Sequence, residues 1–108
     1  MGINAFCKTG NTVVFTAAST PPTPVLCSST TLGGNQYRII NAGTTTVFLG
    51  YGTSAANATA TAVAVTSSQA AFPLLAGTDE ILTFAPNAYF TGYSTTTAVV
   101  YITPGDGV

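Results

Sequence analysis

The sequence predicts an all-β domain, a jelly-roll-like sandwich of about seven or eight short antiparallel strands. Three observations lead there. The polar residues are mostly Thr, Ser, Asn and Gly, with Thr dominant, and a β-branched side chain suits strands better than helices. Gly and Pro cut the chain into short segments at the spacing of a sandwich or jelly roll. The chain is 46% hydrophobic but only 5% charged. At 108 residues it makes one domain over 1–108 with a single modest core, with a possible N-terminal arm at 1–8 and a possible C-terminal tail at 104–108.

The elements follow in order. Residues 11–17, around Val13, Val14 and Phe15, read as a strand. It ends at Ser19-Thr20-Pro21-Pro22-Thr23-Pro24, where three prolines remove three donors and forbid both a helix and a central strand. Residues 25–29 fit an edge strand, and Gly33-Gly34-Asn35 a turn. In the strand at Gln36–Asn41, Tyr37, Ile39 and Asn41 share one face and Gln36, Arg38 and Ile40 the other. Asn41-Ala42-Gly43-Thr44 then reads as a tight connection, Gly43 supplying a positive φ, into a hairpin partner at 45–51. Gly50 and Gly52 suggest a bulge or a close backbone approach.

Ser54 to Ser68 reads as a loop leading to a strand at 62–66, with a short helix at 54–60 as the alternative. An edge strand is expected near 70–73. In 79–85, Leu82 and Phe84 lie opposite Ile81 and Thr83. Asn87 and Gly92 bracket a strand at 88–91, and the last strand runs over 98–103 until Pro104 ends it. The expected core comprises the mid-strand residues Val14, Ile39, Phe48, Leu82, Phe84 and Val100.

Charge narrows the partners. The net charge is -1, with Lys8 and Arg38 the only cations, so a nucleic-acid surface, which needs clustered Lys and Arg, is not expected. No apolar run of about 18 residues would span a membrane as a helix. The N-terminus lacks the basic start and apolar stretch of a secretory signal. So few charges point instead to a surface buried in an assembly, with self-association as the expectation.

Catalytic chemistry is hard to build from these residues. There is no His, so neither a Ser-His-Asp nor a Cys-His arrangement exists, and no Ser-x-x-Lys spacing replaces them. No metal site, no carboxylate cluster and no phosphate-cradling loop is legible, so no cofactor is expected. Asp79 and Glu80 are adjacent and point to opposite faces of a strand, which makes them polar strand residues rather than a catalytic pair. Without a signal sequence, Cys7 and Cys27 read as free buried thiols, with a disulfide left as the alternative. Tyr37, Tyr51, Tyr89, Tyr93 and Tyr101 fit core or interface packing better than a sugar-binding platform.

Four segments together carry a resemblance: Tyr37-Arg38-Ile39-Ile40-Asn41-Ala42-Gly43; Val47-Phe48-Leu49-Gly50-Tyr51-Gly52; Pro73-Leu74-Leu75-Ala76-Gly77-Thr78-Asp79-Glu80-Ile81-Leu82; and Tyr101-Ile102-Thr103-Pro104-Gly105-Asp106-Gly107-Val108. The pattern resembles the small capsid cement, or decoration, proteins of tailed bacteriophages. That resemblance implies a jelly-roll-like virion protein on the capsid exterior, often a homotrimer, assembled in the host bacterial cytoplasm. Its partner would be the major capsid protein, and its role to stabilise the shell by bridging neighbouring capsomers, with no enzyme activity and no cofactor. Two other readings are a different virion part, such as a head-tail connector or tail protein, and a carbohydrate-binding module using exposed tyrosines.

Overall fold

A computed structural model describes residues 7–28 and 35–106. The arm residues 1–6, the tail residues 107–108, Ser29 and the first two turn residues, Gly33 and Gly34, lie outside the described residues. Among the described residues nine strands form two antiparallel sheets, as the all-β sandwich reading expects: β1 (Cys7–Lys8), β2 (Val13–Ala17), β3 (Val25–Cys27), β4 (Gln36–Asn41), β5 (Val47–Gly52), β6 (Phe72–Leu74), β7 (Asp79–Thr83), β8 (Ala88–Tyr93) and β9 (Ala98–Asp106). A short helix, α1 (Ala55–Thr61), lies between β5 and β6.

The five-stranded sheet runs β1-β9-β4-β7, with β2 also along β9, and the four-stranded sheet runs β3-β8-β5-β6. The pairs β2·β9, β3·β8, β4·β7 and β5·β6 are nested, as if one long antiparallel ribbon had been folded in half. The pairs β9·β4 and β8·β5 roll that ribbon into two facing sheets. This is the jelly-roll arrangement of eight strands, with the two-residue β1 added beside the end of β9.

The core lies between the sheets. Phe15, Tyr37, Ile39, Val100 and Ile102 face Val47, Leu49, Leu74 and Phe90 from the other side. Burying one such side chain stabilises the fold by about 1.5–3 kcal/mol. Two aromatic pairs also fill the interior, Tyr37 edge-on to Phe90 and Tyr51 edge-on to Phe84, each with ring centroids 4.9 Å apart. Of the expected core, Ile39 and Val100 are fully buried, and Leu82 and Phe84 pack against it half-buried.

Two expected core residues are elsewhere. Val14 is 51% exposed, because Val13, Phe15 and Ala17 take the inner face of β2. Phe48 lies on the outer side of β5 against Tyr93, with Val47 and Leu49 inside. Both belong to runs of consecutive apolar residues, where alternation alone does not tell which parity turns inward.

The other departures have local causes. The strand expected at 62–66 does not form, and α1 precedes it instead. Ser54 caps α1 by accepting a hydrogen bond from the Asn57 N–H. The helix packs on the two glycines of β5, where a Cβ on Gly50 would stand 2.3 Å from the Ala58 carbonyl oxygen. That is the close approach expected there, and the β5·β8 register runs through both glycines without a bulge.

The connection after β4 is not a hairpin, since β4 and β5 belong to different sheets. The buried Asn41 amide turns the chain across: its Nδ2 donates to the Thr45 and Leu74 carbonyls and its Oδ1 accepts from Gly43 N–H. Gly43 has no positive φ. It is small because a Cβ there would lie 2.5 Å from that of Ala98.

Pro104 does not end the last strand, which continues to Asp106, so the expected tail begins inside the sheet. Facing groups of one strand residue point to the same side. The Pro104 carbonyl accepts from Thr9 N–H, so its missing donor also faces the gap between β1 and β2, where no ladder bond is lost.

Candidate interaction face

The outer faces of the two sheets differ. On the four-stranded sheet, α1 lies over Gly50 and Gly52, and the hydroxyl of Thr91 donates to the Pro22 carbonyl of the 19–24 segment. Thr61 of α1 bonds both backbone groups of Tyr51, occupying the side of β5 that the short β6 leaves open. Much of this face is therefore covered from within the chain.

The five-stranded sheet has no such cover among the described residues. Its register places Val14, Tyr101, Ile40 and Asp79 in one row across β2, β9, β4 and β7. The next row holds Thr103, Arg38 and Ile81. Tyr101 is 42% and Ile81 54% exposed, so with Val14 three large apolar side chains stand in solvent on one sheet face. Thr12 and Thr103 hydrogen-bond to each other through their hydroxyls.

The charges on this face are balanced. Arg38 binds the Asp79 carboxylate with Nη2 to Oδ2 at 2.6 Å and Nε to the same oxygen at 3.1 Å. Both groups are half exposed, so the pair adds only about 0–1 kcal/mol to stability. It borders a shallow depression of about 520 Å³, also lined by Ile40, Gly77, Thr78 and Glu80. Asp79 and Glu80 open β7 on opposite sides, as the alternation predicts, but the Arg38 partner of Asp79 was not visible in the sequence.

The five tyrosines do not form one platform. Tyr37 is fully buried: its hydroxyl donates to the Ala85 carbonyl at 2.5 Å and accepts from Ala88 N–H at 3.2 Å. Burial raises its pKa, partly offset by that backbone hydrogen bond, with a small further rise from Cys27. Tyr51 packs in the core, Tyr89 and Tyr93 belong to the covered sheet, and Tyr101 stands on the bare one.

Cys27 is a buried free thiol whose pKa burial pushes up to about 12, which removes thiolate character and reactivity. Among the described residues no three Cys, Asp or Glu side chains gather as metal ligands, and no helix is long and apolar enough to cross a membrane. No protein-family model matches the chain, and a search of curated proteins finds no significant match.

The exposed residues of this face leave a signal in the sequence. Thr12, Val14 and Thr16 share one parity, as do Val99, Tyr101 and Thr103. Polar residues that share a parity with an apolar one, Thr12 and Thr16 with Val14 and Thr103 with Tyr101, mark the solvent side of a strand.

Proposed function

We propose that this chain is a structural protein of a phage virion that binds the outside of the capsid and stabilises it by bridging neighbouring capsomers. The observation that carries this reading is the bare sheet face with Val14, Tyr101 and Ile81 exposed in a domain with so little charge. Exposed apolar surface of this kind marks a contact site. The likeness of the four segments to capsid cement proteins supplies the partner, the major capsid protein. Jelly rolls also serve as lectins and cupins, so the fold agrees with the proposal without selecting it.

A cement protein has no need of a strong single contact. A shell repeats each contact many times, and weak ones hold through multivalency. With few ion pairs available, binding should depend little on salt. The test adds purified protein to heads assembled without it and follows genome release on heating. Bound heads should rupture at a higher temperature. Heads that take up no protein, or rupture unchanged, would reject the role.

A further inference from the structure

We propose that the bare face of the five-stranded sheet pairs with the same face of a second copy, forming a two-fold dimer. The proposal concerns the free chain: it gives this face a second copy as its occupant before any capsid is met, a partner that a capsid would have to displace.

The sheet edges are poor places to associate. β3 and β6 are three residues long, and Pro73 interrupts the donors of β6. Thr61 closes β5 beyond β6. β7 opens with Asp79 and Glu80, two carboxylates that discourage an added strand. The β1–β2 edge is broken at 9–12, where Gly10 packs against the Ser28 carbonyl, and Lys8 flanks the break. Association is left to the faces, and much of one of the two is already covered, Leu26 being its exposed large apolar residue.

The bare face has the size for a pair. Four strands about 4.8 Å apart, with seven residues of β9 at about 3.3 Å each, span roughly 20 by 23 Å. Two such faces in contact remove roughly 1,000 Å² from water, the lower bound of a specific interface. The pair is therefore modest in strength.

Charge favours a second copy as the occupant. Arg38 and Asp79 neutralise each other within the face, so the partner need bring no counter-charge. This chain, with five charged residues in all, is such a partner. Two-fold pairing also presents equal apolar area from both sides, since the same patch serves twice. A trimer would instead need this face to dock on a different patch of the next copy, and α1 and the 19–24 segment already occupy much of the opposite sheet.

Sedimentation equilibrium of the purified chain at tens of micromolar should give twice the 10.9 kDa mass of one copy. Raising the salt should leave this nearly unchanged. Tyr101→Lys should weaken pairing by about tenfold or more, because two-fold symmetry gathers two unpaired cations in one interface. Thr16→Lys changes an exposed hydroxyl on the same face and repeats the test if Tyr101→Lys loses its β spectrum. Leu26→Lys, exposed on the other sheet, should leave pairing intact. A wild-type monomer at that concentration, a trimer, or a dimer broken by Leu26→Lys and indifferent to both other variants would each overturn the proposal.

Discussion

The four-stranded sheet carries Gly50, Gly52 and Thr91 on its outer side, and each is matched to something in the same chain. The five-stranded sheet carries Val14, Tyr101 and Ile81 there, and nothing described covers them. The difference shows how one domain distinguishes a surface it closes from a surface it offers. Closing takes small residues, so that a helix backbone can approach the sheet. Offering takes side chains with area, held flat by the strands below them. Both sheets share one core, so the outer faces can differ without any change in what holds the sandwich together.

The strongest test of this contrast lies within β2, where neighbouring residues face opposite ways. Phe15→Ala should cost about 3–5 kcal/mol, because it opens a cavity between the sheets. Val14→Ala, measured on the monomer, should stay within about 0.5 kcal/mol of wild type. Urea denaturation of both variants decides the point, and equal losses would mean that the parity of β2 has been misread.

A smaller effect is expected where the covered face is tightest. Gly50→Ala places a Cβ 2.3 Å from the Ala58 carbonyl oxygen and 2.5 Å from the Ala62 Cβ. Overpacking of this kind costs about 1–3 kcal/mol. Thr16→Val on the bare face meets no such obstacle and should be close to neutral. If Gly50→Ala leaves the thermal midpoint where it was, α1 does not rest on β5 as described.

The smallest effect is a change of slope with pH. Cys27 lies on the inner side of the covered sheet, with a thiol pKa of about 12 against 9.0 for the unperturbed group. Below about 9 both folded and unfolded chains keep the proton, and this contribution to stability is fully present. As pH rises from there toward 12, the unfolded chain loses the proton that the folded chain retains, so stability falls. Tyr37, also raised, falls in the same direction. Cys27→Ala should therefore decline less steeply than wild type in denaturation midpoints followed from neutral pH into that window. Parallel declines would show that the thiol is not held protonated by burial.

Several elements are legible in the sequence. The alternation in β4 placed Tyr37, Ile39 and Asn41 together on one face, and all three are buried. The glycines of β5 signalled a close approach, and the proline-rich 19–24 segment could only be irregular. The candidate face was only half legible. Thr12 and Thr16 on either side of Val14 carried part of the signal, but the run Val13-Val14-Phe15 obscured it, because neighbouring apolar residues satisfy either phase. The Arg38–Asp79 pair joins residues 41 apart and depends on the register of β4 against β7.

Local composition determined that this chain would be strands, because β-branched residues, spacing and turn chemistry act over a few neighbours at a time. Which strands pair was decided by the tertiary structure. Gln36–Asn41 and Val47–Gly52 follow one another closely enough for a hairpin, yet the Asn41 side chain sends them into opposite sheets. Of the two readings of the Ala-Thr stretch, the short helix formed as α1, with Gly50 and Gly52 leaving room for it and Ser54 capping it, and the strand at 62–66 did not. Pro104 stayed within β9 because its missing donor meets the break between β1 and β2. For Asn41 and Pro104 the outcome depended on a partner distant in sequence, and a contact of that kind has no local signature until the sheets have closed.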